Sequence, residues 1–156
     1  MNLMLPHTKA LATLLTLIIS FSGAIADPIA GVRAGLGVSI FDEMCVDSLP
    51  DFMDAKRKLK DKHLEKRGDK WIFESEPFVT SVSYSSKECV AIVGDGEKKL
   101  VDDEMSKLLK KRYSGFLQNE VNGKTEMHFT SRAGPAIVFI ESVSSGVALM
   151  VQIQPN

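Results

Sequence analysis

The stretch "VTSVSYSSKECVAIV", residues 79–93, decides the fold. Val82 and Tyr84 alternate with Ser81, Ser83 and Ser85, the period of two expected of a half-buried strand. "ECVAIV" then reads as its hairpin partner across a turn at 85–87, and carries Cys89 into the sheet. A hairpin here, where a doubly wound protein would place a helix between strands, points to an antiparallel α+β layer.

Downstream, "VDDEMSKLLKKRYSG" (101–115) reads as a helix whose acidic opening and basic close follow the helix dipole. "TEMHFTS" (125–131) alternates Met127 and Phe129 with Glu126, His128 and Thr130, and "AIVFIESV" (136–143) is apolar on both faces, as a central strand would be. "VALMVQI" (147–153) follows a turn at Ser144, Ser145 and Gly146. Upstream, residues 38–46 predict a short helix carrying Phe41, Met44 and Cys45. A second helix is predicted from Ser48, with Asp51 completing a capping box, to a left-handed terminator at Gly68. The expected architecture is an antiparallel sheet of about five strands with two to three helices packed on it.

The N-terminus bears on compartment. Lys9 precedes the apolar run "ALATLLTLIISF" and the small residues "SGAIA", the arrangement of a secretory signal peptide over residues 1–26. The run holds 12 residues, against about 20 for a membrane-spanning helix, so no stable membrane insertion is expected after cleavage. Removing 26 of the 156 residues leaves 130 and moves the formal charge from −1 to −2. Glycines in "DPIAGVRAGLG" suggest a flexible lead over 27–37, followed by a single domain over 38–156. A near-neutral balance argues against a nucleic-acid partner, which would require a strongly basic domain.

Export also sets the reading of the two cysteines, because disulfides persist in oxidising compartments. A Cys45–Cys89 bridge is expected. A metal site using them with His63 and His128 would need close ligand pairs that the sequence lacks, and redox catalysis would need Cys-x-x-Cys. No Gly-x-Ser-x-Gly elbow and no calcium-loop spacing occurs, so neither a catalytic residue nor a cofactor is assigned. Two surfaces are candidates for partner binding: the basic residues Lys56, Arg57, Lys58, Lys60 and Lys62, and, as the alternative, the patch around Trp71, although the sole tryptophan reads first as a core residue. A site assembled from His128, Glu126 and Glu141 is the alternative that a hydrolase or ligand-binding protein would use.

Phe41 to Cys45, Pro50-Asp51-Phe52 and Cys89-Val90-Ala91-Ile92 together resemble uncharacterised small exported bacterial proteins that carry Phe-x-x-x-Cys and a two-cysteine staple, over about residues 41–93. The resemblance implies a cell-envelope location and a disulfide. The expectation is therefore a periplasmic (alternatively secreted) protein without catalytic activity that binds another protein, as an inhibitor, an immunity factor or an accessory envelope subunit.

Overall fold

The computed structural model describes residues 27–61 and 64–154; residues 1–26, where the signal peptide is expected, and Lys62, His63, Pro155 and Asn156 lie outside the described residues. Helix α1 (Ala30–Met44) buries Ala30, Ala34, Val38 and Phe41, one stripe at helical spacing. The segment expected as a flexible lead is thus helical from Ala30. Its small residues are what let the helix ride close on the sheet: a Cβ on Gly37 would lie 2.4 Å from Val93 Cγ2. Arg33, nearly buried, fastens the start of α1 through Nη1 to Asp27 at 3.0 Å and to the Asp95 carbonyl at 3.2 Å.

A single 3-10 turn (Val46–Ser48) leads to α2 (Met53–Asp61). The predicted capping box does not form. Phe52 adopts φ 56° and is fully buried, and the helix starts after it, while the Ser48 hydroxyl is buried without a partner. Nor does α2 reach Gly68, which serves instead in the turn between β1 (Glu65–Arg67) and β2 (Lys70–Ser75), at φ 66°. The left-handed conformation was legible at that residue, but hairpin turns require it as much as helix ends do.

Next come β3 (Phe78–Tyr84) and β4 (Glu88–Gly94), paired antiparallel with Val82 opposite Ala91. Helix α3 (Lys98–Arg112) buries Val101, Met105 and Leu109. It begins earlier than its acidic residues suggested. Asp102 instead receives the Lys98 ammonium at 2.9 Å, and Thr125, almost fully buried, accepts from Lys98 at 2.6 Å and donates to Asp102 at 3.0 Å. Strands β5 (Phe116–Val121), β6 (Lys124–Ser131), β7 (Gly134–Val143) and β8 (Gly146–Ile153) complete the described chain.

The eight strands form one antiparallel sheet in the order β1-β2-β3-β4-β8-β7-β6-β5. The α+β class stands, but the count of about five strands does not: β1, β2 and β5 had been missed. Two four-stranded meanders meet at β4 and β8, where Ala91 opposes Leu149. Each meander follows a helix, α1 lying over β3 and β4 and α3 over β6, β7 and β8, with the two helices in mutual contact. Helix α1, the 3-10 turn and α2 precede the first meander, and α3 alone precedes the second.

The core lies between helices and sheet. It takes Cys89, Ala91 and Val93 from β4, Val147, Leu149 and Val151 from β8, Ala136, Val138 and Ile140 from β7, and Trp71 from β2. Cys45, just past α1, bonds Cys89 with Cα atoms 5.4 Å apart, and both residues are fully buried. The predicted staple is thus present, joining the helical layer to the sheet.

Arg112 ties the end of α3 to the end of α1 by donating to Asp42 and, through its other terminal nitrogen, to Asp47. Burial pushes the Asp42 carboxyl above its ordinary range, with Arg112 opposing the shift. Arg112→Ala would leave the two carboxylates facing each other, and should cost about 1–2 kcal/mol at neutral pH. An acid that binds its proton more tightly folded than unfolded destabilises the fold as pH rises past its unfolded value. The deficit of the variant should therefore shrink as pH falls toward about 4. Urea melts of both proteins at neutral and acidic pH test this; a deficit independent of pH would contradict it.

Candidate interaction surface

Alternation along the strands sends a second set of side chains to the face opposite the helices. Val90 and Ile92 of β4, Ala148 and Met150 of β8, and Ile137 and Phe139 of β7 point there, and none of them belongs to the core beneath the helices. Val90 stands opposite Met150, Ile92 opposite Ala148, and Phe139 also opposite Met150. Side by side, they make an apolar strip across the three central strands. Val79 of β3 extends it and is 43% exposed. All three described helices lie on the other face, so no described element covers the strip, in which Val90, Ile92, Phe139 and Met150 are half-buried while Ile137 and Ala148 are already shielded to 6% and 9% exposure by their neighbours.

Polar residues flank the strip and are mostly paired within the chain. Lys124 meets Glu141 at 3.0 Å and lies over the Phe139 ring, 5.4 Å from its centroid. Gln152 donates to Glu88 at 3.2 Å. His128 Nε2 is 3.5 Å from Glu126, and its Nδ1 is 3.2 Å from the Gln154 side-chain nitrogen. An apolar centre with a satisfied polar rim is the anatomy of a protein interface.

The other candidates fare differently. Trp71 is 8% exposed and sits in the core against the helices, as a large indole on a half-buried strand is most stable on the covered face, so of its two readings the packing one applies. On α2, Arg57 pairs with Asp54 at 3.3 Å, and Lys58 donates to the Glu43 carbonyl at 3.1 Å, so two of the five cations are engaged within the chain. Lys60 is exposed, while Lys62 and the side chain of Lys56 lie outside the described residues. Strand alternation brings His128, Glu126 and Glu141 to the open face, but not to one cavity. His128 lines a depression with Phe116, Leu117 and Gln154, whereas Glu126 and Glu141 line another at the β5–β6 turn with Asn122 and Lys124.

The sequence carries one signal for this surface. "AIVFIESV" and "ECVAIV" are apolar at successive positions, which marks both faces of the strand as apolar. What covers each face is not written in a strand.

Fold and surface together define a class, a disulfide-stapled α+β protein with its described helices on one side of its sheet and, on the other, an apolar strip that no described element covers. Comparison with protein-family models, curated proteins and solved structures gave no match to this chain. The disulfide is compatible with an oxidising compartment, and among the described residues no helix is long and apolar enough to cross a membrane.

Proposed function

We propose that the protein is an exported, periplasmic protein that acts by binding another protein through the open face of its sheet, as an inhibitor, an immunity factor or an accessory envelope subunit would. One observation carries this reading: the apolar strip of Val90, Ile92, Ile137, Phe139, Ala148 and Met150 lies on a face that no described element covers. Contiguous apolar surface with a polar rim marks association sites, because leaving it in water is unfavourable. The basic helix is the weaker candidate, since Arg57 and Lys58 already have partners in the chain.

Photo-cross-linking separates the two faces. With a photoreactive residue at position 92 on the sheet or at position 57 on α2, the protein is expressed in its native exported form and irradiated in intact cells. A discrete adduct from position 92 and none from position 57 is the expected result. Adducts from position 57 alone would move the site to the basic helix, and adducts from neither would sink the proposal.

A further inference from the structure

We infer that the partner on the open face is a second copy of this chain, packed sheet against sheet across a two-fold axis. The inference rests on reading that face as the functional surface, and three features of the face select its occupant.

The first is size. Eight strands at about 4.8 Å spacing, most of them about seven residues long at about 3.3 Å per residue, present a face on the order of 800 Å². A stable interface takes about 800 Å² from each partner. Two such faces would stack about 10 Å apart, the ordinary spacing of a β-sandwich.

The second is placement. The strip straddles the junction of β4 and β8, the centre of the sheet, where Val90 opposes Met150 and Ile92 opposes Ala148. A two-fold axis lying in the plane of the interface through that centre lays the strip of one copy on the strip of the other. An isologous contact demands such self-complementarity. An apolar patch at a sheet edge would not meet itself in this way without exposing the rest of the sheet.

The third is charge. The rim carboxylate of Glu141 is balanced by the Lys124 ammonium at 3.0 Å, while Glu88 accepts a hydrogen bond from the neutral Gln152 amide. A second copy therefore meets no unbalanced charge at Glu141, where like-charge juxtaposition would otherwise cost several kcal/mol.

The experiment is analytical ultracentrifugation of the protein recovered from the exported fraction, over concentrations from low micromolar to near millimolar. Twice the chain mass is expected, with Met150→Glu weakening association at least tenfold and Val32→Glu, at an exposed position of α1 on the other side of the molecule, leaving it unchanged. Circular dichroism melts establish that each variant is folded. Should Met150→Glu not fold, Val79→Glu tests the same face from an exposed position. A wild-type protein of single-chain mass throughout would overturn the second copy as partner, yet leave the cross-linking result at position 92 to decide whether a different protein binds there. A dimer that survives both sheet-face substitutions, or one abolished by Val32→Glu, would also overturn it.

Discussion

Removing the Cys45–Cys89 bridge should lower stability by about 2–5 kcal/mol, which for a chain of this size corresponds to a fall in Tm of roughly 10 °C or more. The bond spans 44 positions of sequence and links the end of α1 to the central strand β4. Without it, the unfolded chain regains the freedom of a loop of about 45 residues, valued at about 4 kcal/mol in the chain-entropy view. Phe41, Val38 and Ala34 would still hold α1 on the sheet, so the Cys45→Ala/Cys89→Ala protein should fold and melt cooperatively at lower temperature. Thermal melts of the double variant, and of the wild-type protein with and without reductant, measure the effect. A change of only a degree or two, or free thiols in protein taken from the exported fraction, would remove the bridge from the account of stability.

Gly146→Ala should be as damaging, for a reason confined to one atom. Gly146 opens β8 at φ 139° opposite Gly94, and a Cβ there would stand 2.0 Å from the Val93 carbonyl oxygen and 3.0 Å from the Asp95 nitrogen. Both neighbours are backbone atoms, so relief requires β4 and β8 to part at the seam between the two meanders. Backbone strain and overpacking each cost about 1–3 kcal/mol, and their sum puts the expected loss at about 3 kcal/mol or more. Gly115→Ala, where a Cβ meets nothing within 4 Å, is the control and should change stability little. Denaturant unfolding of the two variants decides the matter. Equal midpoints would show that the seam yields more easily than its geometry implies.

Three strands escaped the sequence reading, each for its own reason. β5 carries Phe116 and Leu117 but then Gln118, Asn119 and Glu120, and as an edge strand it is exposed along nearly its whole length, so no burial alternation was imposed on it. A signal was present nonetheless. Asn122 and Gly123, both at positive φ, form the two-residue turn that joins β5 to β6, and Asn-Gly is among the strongest short-range marks of a hairpin. β1 is three exposed charged residues, Glu65-Lys66-Arg67, indistinguishable in composition from the charged helix before it. β2 was obscured because Gly68 had been read as the terminator of that helix. The start of α1 was missed for the opposite reason: Ala30, Ala34 and Gly37 are small, and small residues register weakly as an apolar stripe although they permit the closest packing.

Local chemistry was enough to determine the α+β class, the paired strands β3–β4 and β7–β8, the helix of Val101, Met105 and Leu109, and the pairing of the only two cysteines. Each of these is a matter of residue periodicity, turn type or counting, and such information is carried within a few neighbours along the chain. Tertiary structure alone decided that the meanders join through β4 and β8, and that the apolar strip from Val90 to Met150 lies on the face without helices. A strand's alternation states how apolar each of its faces is. Which face the helices cover is settled only when distant segments compete for the same surface.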